Sequence, residues 1–441
     1  MSKKINLRAV TFVLALASVA TSAAPHLKAQ QPQQSGQTNA AASRNAAVVA
    51  ATDEVLRETS QLRELKVLRP VKSGAQSRAE IERMIMRNLD EESSPAEMRA
   101  SELALKKLGL VPADFRYRSF IINLLTEQVA GYYDPKQGQF YLADWIDLEG
   151  QKPVIAHELT HALQDQHFNL RRFERWPKGD GDRELAIHAL IEGDAMMAMY
   201  AYVRRNPMSA IALARAMDAD VSNSQQLDRA PRALRESLMF PYERGLAFAE
   251  QLFRRGGWAR VSQAFADLPQ STEQILHVEK YFAREMPVKI EMPDLSSRLG
   301  RNWKRTDADA NGEWGLYLIL DEYLKNDEPS AQRAAAGWGG DRYALYEGAR
   351  EGEVVIAQLT AWDTAADARE FFDAYARRTE RRYAGATEIE NMLGDGDLNV
   401  IAWRTTSEGA VRIERRGTRV AILEGVPEGV NAKRLAASVL R

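Results

Sequence analysis

The chain has 441 residues, 45% hydrophobic and 27% charged, with a formal net charge of −2 and a pI of about 6.4. A near-neutral chain has no global positive field to gather phosphate, which argues against nucleic acid as a partner. The absence of cysteine excludes a disulfide framework and a lipidated cysteine anchor, while the length is enough for two or three domains with real cores.

The first segment reads as an export signal. Lys3, Lys4 and Arg8 precede the apolar run AVTFVLALASVATSA, and small residues follow, which is the order of charged region, apolar core and cleavage site in a secretory signal. Residues 1–23 are expected to be removed, with cleavage near Ala23 or Ala24. The run is short for a bilayer span, so no stable membrane span is expected after cleavage, and the destination is periplasmic or extracellular.

Residues 24–50 are rich in Gln, Ala and Ser and poor in large apolar side chains, a composition expected to form a disordered linker. From Asp53 to Gly109 the pattern is helical. DEVLRETSQLRELKVL spaces its leucines by three and four, and SPAEMRASELALKKLG opens on a Ser-Pro start signal and closes on a glycine stop. RSFIINLLTEQVAG then predicts a buried helix, and GYYDPKQGQFYLADW a β-hairpin turning at Asp134-Pro135 and Gly138. Pro153 stands at a good first-turn position for the next helix. DRELAIHALIEGDAMMAMYAYVRR predicts another long helix despite Gly193, and residues 207–330 look mostly helical with loop signals at RRGGW and DLPQST.

Beyond Gly337 the character changes. GWGGDRYALYEG, EGEVVIAQLTAW, DLNVIAWRTT and GAVRIERRGTRVAILEG predict strands, and TAADAREFFDAYARRTERRY and NAKRLAASVLR predict helices. This segment holds no histidine and no evident ligand cluster. The expected fold class is therefore α+β. A mostly helical domain with a small sheet covers 51–335, with 51–109 as its helical N-terminal part, and a separate smaller α+β domain covers 336–441.

The chemistry is concentrated in HELTHALQDQH, residues 157–167, which holds three of the six histidines. On a helix, positions i and i+4 share a face, so His157 and His161 can aim ring nitrogens at one metal ion. Glu158 sits about 100° around the helix, where it can reach a metal-bound water without being a ligand, as a general base must. That is the mechanical content of the H-E-x-x-H pattern.

A hydrolytic zinc site needs a third protein ligand and an open position for water. His167 has the spacing of the extended H-E-x-x-H-x-x-G-x-x-H pattern, but Gln164 stands where that pattern has its turning glycine, and a continuing helix carries His167 away from the ion. Glu192, in ALIEGDA on the next predicted helix, has strongly apolar neighbours among which an unpaired carboxylate is costly. Glu192 is the preferred third ligand and His167 the alternative. His188, one turn before Glu192, is a candidate partner of a ligand or donor to a developing oxyanion. Asp194 is a candidate orienter of a ligand histidine, although it faces away from Glu192 on an ideal helix.

HELTH followed by LIEGDA resembles the gluzincin branch of the zincin metallopeptidases. The succession TEQVAGYYDP, AHELTHALQDQHF, ALIEGDA and PQSTEQILHVEKY, over roughly residues 110–285, resembles exported bacterial proteins of that type. The resemblance implies a zincin-like domain, one zinc ion held by His157, His161 and Glu192, Glu158 as the base, and a peptide or protein substrate. It also implies that FYLADW is the sheet edge that receives an extended peptide by strand addition, and that His277 and Tyr281 are candidate transition-state donors. The chain departs from the pattern in the long interval between His161 and Glu192, and in carrying Met196 where an aspartate often stands.

The expected function is an exported zinc-dependent metallopeptidase. The alternatives are a non-catalytic exported binding or assembly protein on the same scaffold, and a zinc amidase acting on cell-envelope material. Glu158 separates the catalytic readings from the binding reading, because a purely structural metal has no use for a carboxylate beside an open water position.

Overall fold

The computed structural model describes residues 34–441 except 146, 175–178, 210, 213–224, 326–327, 395 and 406. The expected signal and the first part of the expected linker lie outside the described residues. The rest of that linker is not disordered: residues 34–50 belong to helix α1 (Gln34–Arg63). Alanine-rich sequence is intrinsically helix-competent, and here one face is packed. Val48, Val55 and Leu56 are buried with Ile155, Leu159 and Leu163, and Asn45 accepts a hydrogen bond from the Ala75 N–H.

The segment after α1, expected to be helical throughout, begins with strand β1 (Lys72–Gln76). Helices α2 (Arg78–Glu92) and α3 (Pro95–Leu108) follow. Each is opened by a reciprocal capping box, Ser77 with Glu80 and Ser94 with Glu97, which satisfies amide groups the first turn leaves unpaired. Gly109 ends α3 at φ 75°, the left-handed conformation glycine adopts without penalty. Helix α4 (Tyr117–Gln128) leads into the predicted hairpin of β2 (Gly131–Asp134) and β3 (Gln139–Ala143).

The three-stranded sheet has the order β1-β3-β2, with β1 parallel and β2 antiparallel to β3. The strand FYLA is therefore central, not the edge implied by the resemblance. A segment with little apolar alternation, β1, lies on one side of it and β2 on the other, and these two strands are the edges.

Helix α5 (Lys152–Phe168) starts with Pro153 in its first turn and ends at Asn169 in a left-handed conformation. Every residue from Pro153 to Asp165 is buried, because α5 packs against α1, β2 and helix α6 (Gly181–Arg205). Helix α7 (Arg232–Ala264) crosses α6. It is kinked where Gly256 and Gly257 leave helical geometry, at the RRGGW signal.

The C-terminal region also contains helices α8 (Gly312–Leu324), α9 (Glu328–Ala335), α10 (Ala365–Arg382) and α11 (Ala432–Val439). Its sheet comprises β4 (Lys304–Asp309), β5 (Trp338–Glu347), β6 (Val354–Trp362), β7 (Thr387–Met392), β8 (Leu398–Arg404), β9 (Ala410–Arg416) and β10 (Arg419–Val426). The seven strands run antiparallel in the order β4-β5-β6-β10-β9-β8-β7.

The expected boundary at 335/336 is too late, because β4 and α8 precede it and β4 pairs with β5. Nor is the unit separate. Ala104 of α3, Leu190 of α6, Phe240 of α7, Leu320 of α8, Phe371 of α10 and Ile422 of β10 belong to one continuous core. The architecture is α+β, a helical N-terminal part and a sheet-rich C-terminal part sharing that core. Among the described residues, no helix is long and apolar enough to cross a membrane.

Candidate metal centre

Helices α5 and α6 bring His157, His161 and Glu192 together, and their potential ligand atoms all lie within 4.8 Å of one another. The Glu192 Oε2 is 3.1 Å from His157 Nε2 and 3.5 Å from His161 Nε2, and the two imidazole nitrogens are 3.2 Å apart. Ligands at 2.0–2.1 Å on the corners of a tetrahedron stand about 3.3 Å from one another, so these three atoms have the spacing of one tetrahedral face. This buried group could bind a metal ion.

The third corner depends on two glycines. A Cβ on Gly193 would lie 2.0 Å from the Gly245 carbonyl oxygen, and a Cβ on Gly245 2.1 Å from that of Ala189. The glycine after Glu192 therefore neither turns nor ends α6. It lets α7 approach backbone to backbone, and α6 continues through it to Arg205.

Glu158 is completely buried beside the trio and outside it. Its Oε2 accepts the Tyr133 N–H of β2 at 3.0 Å, while its Oε1 has no hydrogen-bond partner. Tyr133 is held a second time through its hydroxyl, which donates to Asp165 at 3.0 Å. Asp165 also accepts from Arg69 and from the Leu170 N–H, so the end of α5, β2 and the segment after α1 are tied together.

The charges of the trio are interdependent. Burial raises Glu158 to about 8. For Glu192 burial acts in the same direction, but the two imidazoles outweigh it and hold the carboxylate well below its usual range. Burial opposes charge on both rings: His157 is pushed down, with His161 adding to the effect, whereas Glu192 and Glu158 carry His161 up to about 9.

The other sequence-predicted residues lie elsewhere. His167 is exposed and its Nε2 faces the Lys66 carbonyl at 2.7 Å, so it is no ligand of this group. The helix continues past Gln164 to Phe168 and carries His167 away. His188 is half-buried one turn from Glu192, and burial lowers its pKa. His277 is 2.8 Å from Glu313 of α8, and its neighbours include Glu273 and Lys280. Tyr281 is buried against Phe248 and donates its hydroxyl to the Asp267 carbonyl at 2.7 Å. The structure therefore gives His277 and Tyr281 partners apart from the trio. Asp194 is completely buried and reaches His161 only through Gln164.

Sequence reasoning missed Tyr133, Gln164, Arg63 and Tyr242, whose ring lies 6.3 Å from that of His157. Gln164 had a visible signal, since it stands three residues after His161 on the same face. Tyr133 acts through its backbone amide, and nothing in the sequence marks that.

Over residues 298–435 the chain matches a family described as a domain of unknown function, DUF8575. The match begins shortly before β4 and ends within α11, so it covers much of the C-terminal unit and none of the metal centre. No curated protein and no solved structure gives a match.

Proposed function

We propose that the protein is an exported zinc-dependent metallopeptidase with its centre at His157, His161 and Glu192. The observation that carries this reading is the tetrahedral-face spacing of three buried nitrogen and oxygen donors, next to a buried glutamate that has one oxygen free. Two imidazoles and a carboxylate are the donor set of hydrolytic zinc, and a structural site would have a fourth protein ligand instead. Bound there, zinc would supply a Lewis acid for a carbonyl oxygen and a water of lowered pKa.

The chain's own contribution lies in Glu158 and β2. The Tyr133 amide fixes one carboxylate oxygen of Glu158, and the other remains available to take a proton from water and pass it to a leaving amine. A cation beside Glu158 would favour its ionised form, countering the burial that raises its pKa. Because β2 is one of the two edge strands and the one whose amide meets Glu158, an extended peptide added along it would lie next to Glu158.

The test combines metal content with hydrolysis of a mixed peptide library. Wild type is expected to hold about one zinc per chain and to cleave. Glu192→Ala should lose or loosen the metal. Glu158→Gln should retain it while hydrolysis falls on the order of 10²–10⁴-fold. Wild-type protein that takes up no zinc at neutral pH, or cleavage that survives in Glu158→Gln, would sink the reading.

A further inference from the structure

We propose that Arg63 and Asp194, acting through Gln164, are positioning residues that hold His161 with its Nε2 turned to the metal, which makes the end of α1 part of the centre. The proposal rests on the metal reading above only for the identity of what Nε2 faces.

The orientation of Gln164 follows from its partners. Its amide nitrogen lies 3.0 Å from the Ile191 carbonyl oxygen and 2.9 Å from Asp194 Oδ2. A carbonyl and a carboxylate only accept, so the NH₂ group must face them and Oε1 must face His161 Nδ1, at 2.8 Å. An amide oxygen only accepts as well. Nδ1 therefore carries a proton, and in the neutral ring the lone pair falls on Nε2, the atom that faces His157 and Glu192.

Asp194 is fixed in turn. Its Oδ2 is taken by Gln164 and its Oδ1 by Arg63 Nε, and both side chains of the ion pair are completely buried. Arg63 is the last residue of α1, and α7 holds its guanidinium: Nη1 donates to Ser262 Oγ at 3.1 Å, and the group lies 4.6 Å over the Trp258 ring. The line of contacts thus runs from α1 and α7 through α6 to a ring on α5.

His157 has no such support, because its Nδ1 is buried without a hydrogen-bond partner. A buried ion pair contributes little stability relative to an apolar replacement, so a gain in stability is a poor account of this one. Orientation of a ligand is a better one, since partners behind a ligand imidazole fix its tautomer and direction.

The experiment uses the full chain and the variants Gln164→Leu and Arg63→Lys. Zinc affinity is measured by competition with a chelator, the Nδ1–H proton of His161 by NMR of the metal-free protein, and folding by thermal unfolding of that same form. Gln164→Leu is expected to remain folded, to lose the exchange-protected Nδ1–H signal, and to bind zinc roughly 10–100-fold more weakly. Arg63→Lys keeps a charge beside Asp194 but loses the fork, and should weaken zinc less. Removing the charge altogether would strand a buried aspartate and threaten folding, so the lysine variant carries that arm.

A folded Gln164→Leu protein with wild-type zinc affinity, or with the Nδ1–H signal intact, overturns the proposal. If wild type binds no zinc, the metal reading fails by itself. The signal then still decides the anchoring of the ring: presence in wild type and loss in the variant support it, and absence from wild type overturns it.

Discussion

Glu424 of β10 and Glu158 of α5 are both completely buried glutamates, and their surroundings are opposite. Arg378 and Tyr375 hold one oxygen of Glu424, and Arg382 and Tyr383 hold the other. Burial would raise its pKa, yet the two guanidiniums lower it to about 2. Glu158 has one backbone amide on one oxygen and nothing on the other, and burial carries it up to about 8. A buried charge with every lone pair used ties elements together. A buried carboxylate with an oxygen left over is costly to keep and is available for chemistry.

The contrast breaks first at Glu424. Its arginines also donate to carbonyls at the end of α3, Arg378 to Leu108 and Arg382 to Lys107, so the carboxylate helps fasten the sheet to the helical half. Glu424→Ala strands the buried Arg378 and leaves Arg382 with Glu408 as its remaining carboxylate, and should cost about 3–5 kcal/mol in denaturant unfolding. Zinc binding by the folded fraction should be unchanged. A loss below about 1 kcal/mol would mean that the network is not structural and that full satisfaction does not mark such groups.

Asp309 lies at the seam between the two regions and sharpens the comparison. From β4 it accepts the Gly181 N–H at the start of α6 and the Ala310 N–H, and burial, the largest influence, raises it to about 7 against those amides. The ordinary value is 3.8, so between about pH 4 and 7 the folded protein holds a proton that the unfolded chain has released. The contribution of Asp309 is thus fully present below its unfolded pKa and lost as pH rises through the folded one. Stability should fall across that window by up to about 1.4 kcal/mol per pH unit from this group, and Asp309→Asn should flatten the fall. Denaturant unfolding of both proteins across the window checks the sign. A variant with the wild-type slope would remove Asp309 from the seam's pH response.

The parts legible in the sequence were those set by local period. His157, His161 and Glu158 follow from helical spacing, Ser94-Pro95 and Gly109 bound α3 as read, and Glu192 was marked by the apolar residues around it. What failed depended on distant partners. KSGAQ becomes β1 because β3 offers a parallel neighbour, and strand pairing of this kind is decided by context more than by propensity. KRTDAD, a charged stretch, becomes β4 and moves the boundary of the C-terminal unit forward. Nothing in the sequence around Arg63 marks it, and only the fold shows that it is buried against Asp194.

The smallest expected effect is at His277, which the resemblance placed near the chemistry and the structure places against Glu313. The imidazole is partly exposed, with the Glu313 hydrogen bond the main cause of its raised pKa and burial acting in the opposite direction. Such a pair contributes stability fully present below the unfolded pKa and lost as pH rises through the folded one. His277→Ala should therefore cost under about 1 kcal/mol after solvent screening, more at about pH 5.5 than at about pH 8.5. On the proposed peptidase reading, hydrolysis should stay within about twofold of wild type, because a side chain committed to Glu313 would not stabilise an oxyanion developing at the centre. A tenfold fall in turnover at unchanged stability would bring the ring to the substrate, and the centre would then draw on the segment between α7 and α8 as well as on α5, α6 and β2.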